Sequence, residues 1–257
     1  MSDRDPADFR LAVEAAKLES LAEFAAGAGH EINNPLATIL GRTQLLLPGE
    51  TDPDRRQALL TIGGQAIRIR DMIGDLMLFA RPPKMHPQTL DLKQVVRQTL
   101  KQSGALRDAE AAAIRLDLPA DDGPPVTIWA DTVQLSVVIS SLVRNSLEAL
   151  AEGGRMTIQC ETVSANAPTP STSANPAESA EVAKLTVTDN GPGLSPLDRE
   201  HLFDPFYSGR QAGRGLGFGL CKCWRIITLH GGRIDVDSAP GEQTTFTVRW
   251  PSRSATP

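Results

Sequence analysis

The amino-acid sequence predicts a chain of two unlike parts: an antiparallel helical hairpin that pairs into a dimeric four-helix bundle, then a two-layer α/β sandwich with helices on one face of a sheet. Three observations carry this expectation. Apolar and small residues recur at alternating spacings of four and three from Leu11 to Leu46 and again from Leu59 to Ala80, which is the pattern of a helical seam. The run Arg81-Pro82-Pro83 breaks the second seam, because proline lacks an N–H donor and disfavours helix in the residue before it. Beyond that break, alternating or β-branched runs mix irregularly with helical patterns, which favours a sheet covered on one side rather than strict βαβ repeats.

The first seam runs through Leu11, Ala15, Leu18, Ala22, Ala25, Gly29, Ile32, Leu36, Ile39, Thr43 and Leu46; the second through Leu59, Ile62, Ala66, Ile69, Ile73, Leu76 and Ala80. Pro48 and Gly49 supply the turn between them, Asp52 the N-cap and Pro53 the first helical position. A lone hairpin covers only part of such seams, so a homodimer is expected, with a hairpin packed on the chain's own second domain as the rival. The organisation expected is residues 8–82 for the helical domain, 83–90 for a linker and 91–251 for the sandwich. Within the sandwich, helices are placed at about Leu92 to Gly104, Asp131 to Glu152 and Gly217 to His230, with Asp131 and Gln134 spaced as in a capping box. Strands are placed at Ile114–Leu118, Val126–Ala130, Arg155–Val163, Lys184–Asp189, Arg233–Asp237 and Thr244–Trp250. Residues 165–183, rich in Ala, Ser, Pro and Thr, read as a disordered insertion between two strands.

Composition excludes several classes. With 257 residues, 40% hydrophobic and 22% charged, the chain can bury a real core and is neither wholly disordered nor a membrane protein. A net charge of -5 with no basic stripe argues against nucleic acid as a partner. No apolar run approaches membrane-spanning length and Met1 to Arg10 is too polar for a signal peptide, so a cytoplasmic location without a membrane segment is expected. Cys160, Cys221 and Cys223 form neither a disulfide framework nor a metal set.

Four stretches carry candidate chemistry. The first is His30-Glu31-Ile32-Asn33-Asn34-Pro35-Leu36. With Gly29 and Ile32 in the seam, His30 and Asn34 project together from the outward ridge. Glu31 is placed to accept the imidazole's second proton, which keeps the attacking nitrogen's lone pair available. A zinc site of the HExxH kind lacks a ligand because the fifth position is Asn34, and an ordinary solvated histidine is the plain alternative. Pro35 inside a helix is costly, which hints at a reason for it.

The second stretch, Ser141 to Ala149, offers the Asn145 amide oxygen as a hard ligand suited to Mg2+; a solvent-facing amide is its plain alternative. In the third, Asp189-Asn190-Gly191-Pro192-Gly193-Leu194, a carboxylate at a strand end can accept from an exocyclic amine such as that of adenine, while glycines let a base approach the backbone. A tight turn alone gives the same pattern. The fourth, Gly213-Arg214-Gly215-Leu216-Gly217-Phe218-Gly219-Leu220, leads into a helix, whose N-terminal amides suit a polyphosphate. It is neither a Walker loop nor a dinucleotide-binding turn. Between the last two, Leu202-Phe203-Asp204-Pro205-Phe206-Tyr207 can seat a lid or simply pack a core, and Arg210 and Arg214 are candidates to reach phosphate oxygens.

Together and in this order, these stretches resemble the boxes of the sensor histidine kinases of two-component systems, from about Leu18 to Trp250. His30 to Leu36 looks like the phosphoacceptor box and Asn145 like the magnesium-binding asparagine of the N box. Asp189, Gly191 and Gly193 look like the adenine-binding glycine box, and Phe203 and Phe206 match the F box. Gly213, Gly215, Gly217 and Gly219 look like the second glycine box, and Leu229-His230-Gly231-Gly232 resembles the helix end that follows it. The resemblance implies a HisKA-type dimerisation and phosphoacceptor domain followed by a GHKL (Bergerat) ATP-binding domain, with ATP and Mg2+ as cofactors. It also implies a homodimer in which His30 takes the γ-phosphoryl group and passes it to an aspartate of a response-regulator receiver domain. Dephosphorylation of the partner, which many members also perform, would use Asn34 to orient the attacking water.

Three positions depart from the family pattern: Ser141 stands where many members carry Asn, Ser146 where many carry Ala, and Arg210 in place of the lid's usual lysine. A GHKL ATPase of the gyrase, chaperone or mismatch-repair kind shares the nucleotide site, but its glutamate base would fall where Ser141 stands. A catalytically silent scaffold that dimerises and docks a receiver protein is the third class weighed.

Overall fold

The computed structural model describes residues 20, 23, 27, 29, 31–120, 123–164, 181–207 and 217–251. The chain divides into two units, Met1–Pro83 and Lys84–Pro257.

In the first unit, residues 31–46 form helix α1, with described residues 20, 23, 27 and 29 also helical. A 3-10 turn, Leu47–Gly49, leads to α2, Pro53–Ala80. The start of α2 is as the sequence reads: Asp52 Oδ1 accepts from the backbone N–H of Asp54 at 2.9 Å and of Arg55 at 3.3 Å, and Pro53 occupies the first position, where a missing N–H costs nothing. Small residues let the helices approach. A Cβ on Gly29 would lie 2.9 Å from Met77 Sδ and 3.4 Å from Ile73 Cγ2, and one on Gly63 would lie 3.3 Å from Thr43 Oγ1. These contacts fix an antiparallel register. Among the described seam residues, Gly29, Leu36, Thr43, Ala66, Ile73, Leu76 and Ala80 are buried, whereas Ile39, Leu46, Ile62 and Ile69 are exposed. No helix among the described residues is long and apolar enough to cross a membrane.

The second unit begins with a ribbon, β1 (Gln88–Asp91) paired antiparallel with β3 (Thr127–Ala130). Helices α3 (Leu92–Ser103) and α4 (Ala105–Ala111) and the short strand β2 (Arg115–Asp117) lie between them in the chain. Then follow α5 (Thr132–Leu150), β4 (Arg155–Ser164), β5 (Glu181–Asp189), α6 (Pro196–Glu200), α7 (Gly219–Leu229), β6 (Arg233–Asp237) and β7 (Thr244–Pro251). The main sheet has the order β2-β4-β5-β7-β6; β2 runs parallel to β4 and every other pairing is antiparallel.

Strand alternation makes this a two-layer structure. Ala183, Leu185 and Val187 of β5 and Phe246, Val248 and Trp250 of β7 point into one core, which α5 closes with Leu135, Val138, Ile139 and Leu142, α3 with Val96 and Leu100, and α7 with Ile226 and Ile227. Each large side chain sealed there contributes roughly 1.5–3 kcal/mol relative to exposure. The intervening residues of β5 and β7 face away and are polar, mostly threonine, with Lys184 and Arg249.

Three differences from the sequence reading have local causes. Strand β1 lies across the end of the stretch read as linker, because its backbone is paired with β3 although its residues, Gln-Thr-Leu-Asp, carry little apolar signal. The stretch read as a disordered insertion ends too late: Glu181, Val182 and Ala183 belong to β5, with Val182 opposite Val163 and Pro251, and Ala183 fully buried opposite Trp250. Alanine under a tryptophan is well packed yet scores as weakly apolar. Residues 165–180 lie outside the described residues. Helix α7 starts at Gly219 instead of Gly217, whose φ of +69° is not helical.

Candidate functional site

Strand β5 ends by placing Asp189 on the core-facing side, in line with Leu185 and Val187, where it is 1% exposed. A carboxylate buried there must be hydrogen-bonded or lose its charge. Its Oδ2 accepts from the Ser146 hydroxyl of α5 at 2.7 Å, and its Oδ1 accepts from the backbone N–H of Gly191 at 3.1 Å. Helix and turn thus grip the same carboxylate from two directions.

The turn after Asp189 is tied down on both sides. Asn190 Oδ1 accepts from the Arg155 N–H at 2.7 Å, Gly241 N–H donates to the Pro192 carbonyl at 2.7 Å, and Leu194 N–H donates to Ser238 Oγ at 3.0 Å. Gly193 adopts a φ of +74°, and a Cβ there would run into the Ala239 carbonyl oxygen and stand 2.8 Å from that of Glu242. Only glycine meets both demands.

On α5, Asn145 is half-buried one residue before Ser146, and Ser141 is buried one turn earlier. Helix α7 packs beside α5, and a Cβ on its first residue, Gly219, would lie 3.9 Å from Arg144 Nη2. The N-cap of α7, Phe218, makes no side-chain hydrogen bond to the first turn, so its N–H donors remain suited to an anion.

Phe203 is half-buried against the core; Phe206 is exposed with a φ of +67°, and its ring meets that of Phe218 edge-on at 4.6 Å. Phe206 N–H donates to the Gly217 carbonyl at 3.2 Å. Tyr207 OH donates to Asp198 Oδ1 at 2.8 Å and Ser195 Oγ to Asp198 Oδ2 at 2.6 Å, and these bonds, opposed by burial, hold the Asp198 carboxyl below its usual range. Arg210, Gly213, Arg214 and Gly215 lie outside the described residues, as does His30.

In the hairpin, Glu31 and Asn34 are exposed on α1, Gly29 is buried and Ile32 half-buried, as the seam count places them. The helix runs on through Pro35, and Thr38 Oγ1 donates to the Asn34 carbonyl at 3.2 Å. The structure therefore puts Asn145, Asp189, Gly191, Gly193, Phe203, Gly217 and Gly219 in the second unit and Glu31 and Asn34 in the first. Among the described residues, no group of three His, Cys, Asp or Glu side chains could hold a metal ion. A single amide such as Asn145 fits Mg2+, which is ordinarily held by one or two protein oxygens with waters and substrate phosphates.

Sequence reasoning missed three contributors. Ser146 registers there only as a departure from the family pattern, yet it is the partner of Asp189. Thr244 pairs directly across from Asp189 in the β5–β7 register, is buried, and shares its hydroxyl with Ser238 at 3.0 Å; the one sequence signal is a threonine opening a strand after a glycine turn. His230 closes α7 differently from a simple stop: its Nδ1–H donates to the Ile226 carbonyl at 2.9 Å, leaving Nε2 to accept from the Asp131 N–H at 3.1 Å. That bond takes the place of the reciprocal arm of the capping box expected from Gln134. Burial pushes the Asp131 carboxyl up, but the N–H groups of Gln134, His86 and Val133 outweigh it and hold the pKa below its ordinary value.

Comparison with known proteins bears on both units. Residues 20–83 match the family model described as the His Kinase A (phospho-acceptor) domain, and residues 130–254 match that of the histidine kinase-, DNA gyrase B-, and HSP90-like ATPase. Sporulation kinase C of Bacillus subtilis is 30% identical over 247 residues, which is 95% of this chain and 52% of that kinase. Full-length ShkA, solved in complex with AMPPNP, aligns with a TM-score of 0.72 at 21% identity over 91% of this chain and 47% of ShkA. Histidine kinase ThkA, solved in complex with response regulator protein TrrA, aligns with a TM-score of 0.62 at 20% identity over 97% of this chain and 68% of that chain. Both structures share this fold. The chain spans about half the length of the curated relatives it matches.

Proposed function

We propose, from the premise that this chain belongs to the sensor histidine kinases of two-component systems, that it transfers the γ-phosphoryl group of ATP to its own His30 and then to an aspartate of a response-regulator receiver domain. One observation carries the proposal: a buried carboxylate beside a glycine turn, within an ATPase-type domain, shares a chain with the HEINNP helix of a phosphoacceptor-type domain.

In this reading Asp189 accepts from the exocyclic amine of adenine, with Gly191 and Gly193 admitting the base and Phe203 packing beneath the segment that follows. Gly213, Gly215, Gly217 and Gly219 present amides to the phosphates, and Arg210 and Arg214 neutralise them. Mg2+, held by Asn145 together with phosphate oxygens, would neutralise charge on the phosphates. The His30 nitrogen attacks the γ-phosphorus, an N–P bond forms, the bond to the β-phosphate oxygen breaks and ADP leaves. Glu31 accepts the hydrogen bond of the other imidazole nitrogen, so that the attacking one keeps its lone pair. Asn34, exposed four residues from His30, is assigned to orienting water when the partner is dephosphorylated.

The exposed seam residues Ile39, Leu46, Ile62 and Ile69 support closure by a second copy into a four-helix bundle. A nucleotide substrate and three cysteines outside any disulfide fit a cytoplasmic, reducing setting. Incubation of the chain with γ-labelled ATP tests the proposal. Acid-labile, base-stable label that disappears in His30→Gln is expected; release of free phosphate with no labelled protein would establish an ATPase instead.

A further inference from the structure

We propose that the open face of the sheet carries a binding site for a small phosphate-class anion, built around Arg155 and separate from the corner read as the nucleotide site. Strand alternation separates the two. Asp189 lies on the core side of β5, whereas Thr188 lies on the open side with Thr157, its register partner on β4. Met156 and Ile158 of β4 and Leu116 of β2 pack in the core, which puts Arg155, Arg115 and Asp117 on the open side too. A depression of about 580 Å3 opens there, lined by Arg115, Arg155, Thr157, Thr188, Asn190 and Gln243, with no carboxylate among its lining residues. Thr188 Oγ1 already meets Thr245 Oγ1 at 3.1 Å. Asn190 Oδ1 accepts from the Arg155 N–H at 2.7 Å, which leaves the Asn190 NH2 group to donate.

Arg115 and Arg155 are register partners on neighbouring strands, a placement that like charges disfavour. Asp117 serves them unequally. Its Oδ1 accepts from Arg115 Nε at 3.0 Å, while Arg155 Nε lies 3.6 Å from Oδ2, too far for a hydrogen bond. The other edge of the same sheet shows the arrangement closed. Arg233 and Arg249 are register partners there, and Asp235 accepts from both, at 2.7 Å from Arg233 Nε and 2.6 Å from Arg249 Nη1. Two cations around one carboxylate leave a positive charge in excess, and at the first edge the Arg155 fork is still open where it borders the depression. Donors on two neighbouring strands call for more acceptor oxygens than one carboxylate offers, and a tetrahedral phosphate supplies them.

The measurement is calorimetric titration of inorganic phosphate, and separately of glycerol 3-phosphate, into the whole chain at low salt. Wild type is expected to bind saturably with a Kd in the roughly millimolar range, as suits an exposed site. The tighter of the two probes tells free phosphate from a phosphomonoester as the ligand. Arg155→Gln is expected to weaken binding on the order of tenfold, the worth of a hydrogen bond from a charged group. Arg115→Gln is expected to weaken it less, and Arg249→Gln, whose guanidinium Asp235 holds, to leave it unchanged. All three substitutions lie on the open face and spare the core. Phosphate binding that persists unchanged in Arg155→Gln would put the anion elsewhere on the chain and overturn the proposal. So would the absence of saturable binding to wild type up to about 50 mM, or saturation by a glutamate-rich peptide and by neither phosphate.

Discussion

Asp131 holds together three stretches of chain, and removing its carboxylate has a calculable cost. Oδ1 accepts from Val133 N–H at 2.9 Å and Gln134 N–H at 3.0 Å, capping α5, while Oδ2 accepts from His86 N–H at 2.8 Å. Loss of an N-cap costs about 0.5–2 kcal/mol, and a partly buried N–H left without its acceptor costs about 1–3 kcal/mol. Asp131→Ala is therefore expected to destabilise the sheet unit by roughly 2–4 kcal/mol. With a urea slope of about 2 kcal/mol/M, the midpoint falls by roughly 1–2 M. The assay is selective, because all three tryptophans, Trp129, Trp224 and Trp250, lie beyond the hairpin, so intrinsic fluorescence follows the sheet unit alone. Asp131→Asn keeps one oxygen for the cap and loses the His86 bond, so it should cost about half as much.

The pH dependence of that loss has a definite sign. The folded pKa of Asp131 lies below its ordinary 3.8, so the stabilisation is complete above 3.8 and vanishes as pH falls through the folded value. The gap between wild type and Asp131→Ala should be constant at neutral pH and narrow only below about pH 4. A midpoint for the alanine variant within about 0.3 M of wild type, or a gap that opens toward acid, would refute the reasoning.

Gly193→Ala forces a side chain onto a φ of +74° and into the Ala239 carbonyl, costing about 1–3 kcal/mol of strain alone; ADP affinity and urea midpoint should fall together. Ile62→Glu with Ile69→Glu places charge on the exposed edge of the α2 seam, and light scattering should report monomers while the tryptophan-monitored midpoint stays unchanged. Burial, with a contribution from Asp91, pushes the Cys160 thiol up to about 12, and Cys221 and Cys223 are buried. Mass spectrometry after iodoacetamide at pH 8 should find all three cysteines largely unmodified until urea is added.

What the sequence announces, and what it hides, divides by range. The caps at Asp52 and Asp131, the hairpin turn and the alternation along β5 and β7 depend on residues within a few positions of one another, and local pattern reveals them. Strand β1 is built from backbone pairing with β3 across nearly forty residues, and nothing in Gln-Thr-Leu-Asp foretells it. The candidate site behaves likewise. Asp189 and the glycines after it are visible as a turn at a strand end, and Asn145 as an amide on a helix. That the serine after Asn145 grips Asp189, and that Thr244 stands across from it, are facts of register and packing between segments 43 and 55 residues apart. No periodicity encodes them.

The way α7 ends joins three stretches of chain. Its 11 residues make a shaft of about 16 Å, with one tip at the glycines next to Arg144 and the other at His230. That imidazole accepts from the backbone of Asp131, and the Asp131 carboxylate accepts from the amide of His86, so two hydrogen bonds join the end of α7 to the segment that leads into β1. The C-terminal end of one helix, the N-terminal end of another and a stretch of extended backbone are thereby tied by a single imidazole and a single carboxylate.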